Sequence, residues 1–273
     1  MIKLTESCVY GETFADLIRP KRSNIICPSG RKTVIITSDA IAAITDLLSD
    51  LNLTDIHNMN IVENEENPFV QSNSDYYSDL NEGELYRSTT TKIVSDSTKE
   101  YHVNIILTMD EACMDAYSNL SAHPVMITLG IYNRNTRSMN SAWRSIGYLP
   151  NFDQQVGGSQ NYSAEEKLND FHFCLNHILT NVCCIQTPNG MHWDFNFSKF
   201  PGKTYRRKLL FTLSHVISDA KENDMLCGRM SNRSKTKRLC RDCDVLLEDS
   251  DNPNINCNFL SMYECKATKI QFF

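Results

Sequence analysis

Two stretches of this chain are too continuously apolar to leave a whole face in water. Val103, Ile105, Leu107 and Met109 alternate along one side of an extended backbone with Ile106 on the other, and Lys208 to Ser218 (KLLFTLSHVIS) is apolar almost throughout. Runs of this kind read as largely buried strands. Both stop abruptly on a carboxylate, Asp110 followed by Glu111 in the first case and Asp219 in the second. Between them Val125, Ile127, Leu129 and Ile131 line one face of a further strand, and Ser141 to Leu149 (SAWRSIGYL) returns beside it through the Asn-rich turn Asn133 to Asn140. Ser163 with Glu166 forms a capping box for a helix in which Leu168, Phe171, Leu175, Ile178 and Val182 step by three and four. A Pro188-Asn189-Gly190 turn then leads into a strand from Met191 to Phe197. Strand, strand, strand, helix, strand is a mixed α/β order.

The residues before this block are less regular. Arg31 to Thr37 reads as a short strand, and Ile41, Ile44, Leu48 and Leu51 give a helical stripe that Ser38 or Asp39 can cap. Asn58 to Leu85 follows neither period and reads as a long acidic loop. The expected organisation is an N-terminal region over 1–100 with one short helix and a linker, a core over 101–226, and a cysteine-rich basic insert with a tail over 227–273.

Composition narrows the setting. With 41% apolar residues in 273, the chain has enough material for a substantial core. Its longest apolar runs fall far short of the roughly 18 residues that span a bilayer. Met1 to Tyr10 has no apolar signal region, so secretion is not signalled and a reducing nuclear or cytoplasmic compartment is expected. A net charge of −6 argues against general DNA coating. Basicity is local: Arg229, Arg233, Lys235, Lys237, Arg238 and Arg241 form one run and Arg206-Arg207-Lys208 another, each readable as phosphate contacts or as a solvated face. Eleven cysteines is an odd count, against full pairing. Cys8, Cys27, Cys113, Cys174, Cys183 and Cys184 read as small buried hydrophobes. Cys240-Arg-Asp-Cys243 differs, because a two-residue gap lets two thiolates reach one tetrahedral Zn2+. Cys227 can add a third ligand and Cys257 a fourth, with Cys265 or His215 as alternates; unpaired thiols or a redox pair are the other readings of the same spacing.

Acids at the ends of neighbouring buried strands can hold hard cations such as Mg2+ or Mn2+, and two such ions stabilise the attacking and leaving oxygens in phosphodiester cleavage. The competing reading of Asp110 and Asp219 is that of turn or cap residues. His172 and His177 are five apart on the expected helix and share no face, so they read as core or surface residues rather than ligands. Trp143 reads as core, with base stacking as the alternative.

Ile105 to Asn151, above all Met109-Asp110-Glu111, Pro124 to Arg134 (PVMITLGIYNR) and Ala142 to Asn151 (AWRSIGYLPN), resembles the Plavaka-type transposases of the Kyakuja-Dileera-Zisupton group. Ile217-Ser-Asp219, Asp224 to Arg229, Arg238 to Asp244 and Asp251-Asn-Pro253 are similar to a second block of that family. The resemblance implies a ribonuclease H-like fold in which three acids bind divalent metal for cleavage and joining of transposon ends, with Asp110 the first acid and Asp219 the second. It implies further that Cys227, Cys240 and Cys243 belong to a zinc-binding insert. The chain departs from the pattern in having Glu111-Ala112 after the first acid, where Lys and Thr are usual, and Ser218 before the second, where Gly is expected. The third acid, with its Leu-His neighbour, has no counterpart before Phe273, although Glu248, Asp249 or Glu264 are available substitutes. The expectation is a transposase-derived domain, incomplete at its C-terminus and non-catalytic alone, with weak, salt-sensitive, sequence-independent DNA binding. The alternative is a zinc-stabilised module that binds nucleic acid or protein without catalysis.

Overall fold

Strand β3 (Glu100–Met109) is buried along almost its whole length because it has a hydrogen-bonded neighbour on each side. The computed structural model describes residues 20–69, 79–110, 112–113, 121–152, 162–183, 190–218 and Leu226. Its other strands are β1 (Lys21–Ile26), β2 (Lys32–Thr37), β4 (Ala112–Cys113), β5 (Ser121–Leu129), β6 (Arg144–Leu149), β7 (Met191–Phe195) and β8 (Tyr205–Ser218). The helices are α1 (Ala40–Ser49), α2 (Glu84–Ile93), the single turn α3 (Arg134–Arg137) and α4 (Ala164–Cys183). This is the expected mixed α/β class. The strands form one sheet in the order β1-β2-β6-β5-β3-β8-β7, with β4 paired to β5 off that path. Every neighbouring pair is antiparallel except β3 and β8, which are parallel. Among the described residues no helix is long and apolar enough to cross a membrane.

One face of the sheet carries the apolar core. Ile105, Leu107 and Met109 of β3 and Val125, Ile127 and Leu129 of β5 meet Ile44, Leu47 and Leu48 of α1 and Phe171, Leu175 and Ile178 of α4. The capping box opens α4 as its sequence implies: Glu166 N–H donates to Ser163 Oγ (3.1 Å), and Ser163 N–H to Glu166 Oε2 (2.8 Å). Gly147 explains how closely α4 approaches. A Cβ there would come within 2.8 Å of the Ile36 carbonyl oxygen and 2.9 Å of Ile178 Cδ1, so β6 can only be glycine where the helix crosses it. On α4, Asp170 is fully buried and accepts from Ser29 N–H (3.1 Å), Ser29 Oγ (2.6 Å) and the Tyr162 hydroxyl (2.5 Å). These bonds tie the helix to the β1–β2 turn.

Some local readings need correction. Asp39, not Ser38, caps α1, accepting from Ile41 N–H (2.8 Å) and Ala42 N–H (3.1 Å). Ile41 and Leu51 are exposed, because the buried face runs through Ala40, Ala43, Ile44, Leu47 and Leu48 and the helix ends at Ser49. The stretch read as a loop from Asn58 to Leu85 ends in α2, whose Thr-rich sequence buries only Tyr86. It also sends Phe69 into the core, 4.9 Å from the rings of both Tyr101 and Phe195. β1, absent from the sequence reading, is a mostly exposed edge strand with Lys21 and Arg22 at its start.

The second face of the sheet is polar at its centre. His102 of β3 is buried under α2, stacked on Tyr86 with ring centroids 4.6 Å apart. The Thr90 hydroxyl donates to the Tyr86 carbonyl (2.8 Å), so toward His102 it can only accept, and the proton lies on Nδ1 (2.8 Å). Nε2 then takes the Thr212 hydroxyl of β8 as its donor at 2.7 Å, a shorter contact than that hydroxyl's other acceptor, Asn104 Oδ1 at 3.3 Å. Burial pushes the imidazole down to about 4. The unfolded chain takes up that proton near the ordinary value of about 6.5. Stability from the neutral ring is therefore complete above about pH 6.5 and lost as pH falls toward 4, a total of about 3 kcal/mol. Urea unfolding at pH 7, 5.5 and 4.5 should show this decline, and His102→Gln should flatten it. An unchanged slope in the variant would exclude His102 as its source.

Candidate functional site

Toward their carboxyl ends β3 and β8 run in step, and their last pair in register is Met109 with Ser218. The next residue of the first strand is Asp110, which is exposed. Strand alternation puts it on the face of Ile106 and Thr108, and across the pairing that face continues in His215 and Ile217. This phase depends on a bulge. Leu213 pairs with Ile105 and His215 with Ile106, which leaves Ser214 without a partner position on β3.

On the same face a groove of about 600 Å3 is lined by Tyr86, Ile106, Trp143, His215 and Ile217, with Arg134 and Arg137 beside them. Its wall is made by the segment after β5, and each polar residue there has a definable task. Asn133 caps α3, accepting from Thr136 N–H (2.9 Å) while its amide donates to the His57 carbonyl (2.7 Å). The Tyr132 hydroxyl donates to the Leu47 carbonyl (2.7 Å). Arg137 is nearly buried and pairs with the nearly buried Asp79 at 2.5 Å, also donating to the Tyr132 carbonyl. Asp79 accepts Arg134 N–H as well (3.0 Å), so one carboxylate fixes both ends of α3. Trp143 Nε1 donates to the Arg137 carbonyl (2.7 Å), which sets the indole as a wall of the groove. Arg144 is held by Asp46 of α1. Burial, and then the charge of Arg137, push the His215 imidazole below its ordinary value.

The site residues expected from sequence divide sharply. Asp110 stands at the end of the central strand. Asp219, Glu111, the cysteines Cys227, Cys240, Cys243, Cys257 and Cys265, and the basic residues Arg229, Arg233, Lys235, Lys237, Arg238 and Arg241 lie outside the described residues, as do Glu248, Asp249 and Glu264. Among the described residues no group of three or more His, Cys, Asp or Glu is placed to hold a metal ion. His172 is buried on α4 against Phe171 and His177 is exposed. In the other basic run, Arg206 is 3.8 Å from Asp194 and Lys208 3.8 Å from Glu100, whereas Arg207 is buried. Sequence reasoning missed Asp79 and Tyr86. Asp79 accepts locally from Leu80 N–H (2.6 Å), but its partners Arg134 and Arg137, like His102 for Tyr86, lie too far along the chain for a local pattern to reveal.

A family model described as Plavaka transposase matches residues 21–264. The chain belongs to that family. The Plavaka match begins at Lys21, the first residue of β1, so the exposed β1–β2 hairpin is part of the family region. It also takes in the Asn133–Trp143 segment and the paired ends of β3 and β8 that frame this site. Comparisons with curated proteins and with solved structures find no match.

The Arg137–Asp79 pair should be the anchor of the groove wall. Arg137→Met is expected to lower the unfolding free energy by about 3 kcal/mol, because Asp79 is left as a buried, unpaired carboxylate. Arg144→Met, at the more exposed pair with Asp46, should cost about 1 kcal/mol. Equal losses in urea denaturation would remove the distinction between them.

Proposed function

We propose that this Plavaka-family protein is a transposase-derived, ribonuclease H-like domain whose Asp110 and Asp219 are the first two acids of an ancestral site for cutting and joining DNA strands. The observation that carries the reading is the register: Met109 pairs with Ser218, and the residues that follow them are the two aspartates. Continuing that parallel pairing by one residue would set the carboxylates side by side. The topology supports the same reading, since the antiparallel strands β3, β5 and β6 are followed by α4, by β7 and then by β8, which returns parallel to β3 on its free side.

Two carboxylates at strand ends offer the oxygen donors that Mg2+ or Mn2+ takes, and the exposed Asp110 fits that requirement. When bound, such an ion supplies charge stabilisation to the oxygens of a phosphodiester. The chain's own contribution would be to present the acids just beyond the ends of its parallel strand pair. With only two acids matched to the family pattern, the ion keeps most of its waters, and Glu111 adds an extra charge beside it. Phosphoryl transfer depends almost wholly on positioning and electrostatics, so this chain alone is expected to bind metal weakly and not to cleave. Its DNA contacts are assigned to Arg229, Arg233, Lys235, Lys237, Arg238 and Arg241, which meet phosphates without reading sequence. Zinc is assigned to Cys227, Cys240, Cys243 and Cys257.

Titration with Mn2+ should give weak binding that Asp110→Asn abolishes, and plasmid incubated with protein and Mn2+ should remain supercoiled. Unchanged Mn2+ binding in Asp110→Asn would overturn the acid-pair reading. Nicking that disappears in Asp110→Ala would overturn only the claim of inactivity. For the cysteine cluster, metal analysis of the purified protein should find about one zinc per chain, lost in Cys240→Ser/Cys243→Ser. Full zinc retention in the double variant would dispose of that site.

A further inference from the structure

Arg207 lies near the start of β8, roughly 35 Å along the strand from Ser218 at its end. Its side chain is turned to the core face and is only 8% exposed. The guanidinium sits over the Phe69 ring, 5.1 Å from the centroid, and donates from Nη1 to the Arg206 carbonyl (2.9 Å) and from Nη2 to Asn67 Oδ1 (2.8 Å). Both acceptors are neutral. Nε is buried without any hydrogen-bond partner, and among the described residues Arg207 forms no ion pair. The carboxylate that acts on it electrostatically, Asp96, is already engaged by the Thr98 amide (2.9 Å) and hydroxyl (2.5 Å) and by Lys99 (3.2 Å). A buried guanidinium with one donor idle and no ion-pair partner is an expensive arrangement for a surface-proximal strand to keep.

The surroundings show what would satisfy it. Arg207 lines an open pocket of about 450 Å3. Lys203 and Arg206 bring two further cations to its wall, and Thr98, Thr204 and Asn67 bring neutral polar groups. Glu65, Glu66 and Tyr205 complete the lining; Glu65 is bonded to Lys203 at 3.0 Å, and among the described residues neither acid forms an ion pair with Arg207. We propose that this pocket binds a phosphate-type oxyanion, with Arg207 as the inner donor and Lys203 and Thr98 at the rim. A tetrahedral anion suits this donor set because guanidinium, ammonium and hydroxyl groups all point positive hydrogen toward its oxygens. The anion can be free inorganic phosphate or the phosphodiester of a nucleic-acid backbone. The site is independent of the proposed acid pair.

Thermal unfolding of the full chain in rising inorganic phosphate, with chloride adjusted to constant ionic strength, tests the assignment. A saturable rise in melting temperature is expected. In Lys203→Glu, a surface change that leaves the core intact, the apparent dissociation constant should rise about tenfold. In Arg207→Lys the response should vanish. A parallel titration with the dinucleotide d(TpT) separates the sources: a response to it alone assigns the site to nucleic-acid backbone, and a response to inorganic phosphate alone assigns it to the free anion. Absence of a saturable shift with either probe, or a response in Lys203→Glu equal to that of the unaltered protein, overturns the proposal.

Discussion

The parallel pairing of β3 with β8 is the constraint from which the other features follow. Parallel neighbours cannot be joined by a hairpin, so after β6 the chain must cross a face of the sheet before it can return beside β3, and α4 lies in that crossover. The crossing helix must bury an apolar face against strands that are themselves apolar. That requirement accounts for the close packing at Gly147 and for the buried Asp170, whose hydrogen bonds fasten α4 to the first hairpin. A central parallel pair also needs cover on its second face. Here the cover is α2, and the interface is built from hydrogen bonds rather than from methyl groups.

That difference between the faces has energetic consequences. On the α1 and α4 side the packing is dominated by aliphatic and aromatic contacts, so stability there depends on volume and shape. On the α2 side, Thr90, His102 and Thr212 form a chain of directed bonds that continues to Asn104. Such a network holds α2 in a unique orientation because alternatives leave buried donors without acceptors. The groove beside it inherits this definition, since Tyr86 both stacks on His102 and lines the groove.

Much of this was legible in the sequence wherever a residue's role is local. The periodicity of Val103 to Met109, the capping box at Ser163 and Glu166, and the apolar run before Ser218 each identify their element from neighbours within a few positions. The same logic found the Asp39 cap and failed at Leu51, since a helix end is set by the cap geometry at Asp50 and not by the spacing of leucines. β1 was invisible because an edge strand exposed on most of its surface has no need of alternation. α2 was invisible because it buries one tyrosine and otherwise presents hydroxyls. Of the site, Asp110 was readable as a strand-terminal acid, whereas Asp79 and the isolated charge of Arg207 are defined by partners, or by the lack of one, that only the folded chain brings near.

The bulge at Ser214 acts as a phase setter for the end of β8. Were Ser214 paired with Ile106 instead of skipped, Ile217 rather than Ser218 would face Met109. Substitutions along the strand leave this count untouched, and so would loss of Ser214 itself, but a one-residue slip in the pairing beyond it reverses which side of the sheet each later side chain takes. The strand can therefore vary widely in composition while its pairing stays fixed, and a slip of one residue would exchange the groove-facing His215 and Ile217 for their core-facing neighbours without altering any side chain.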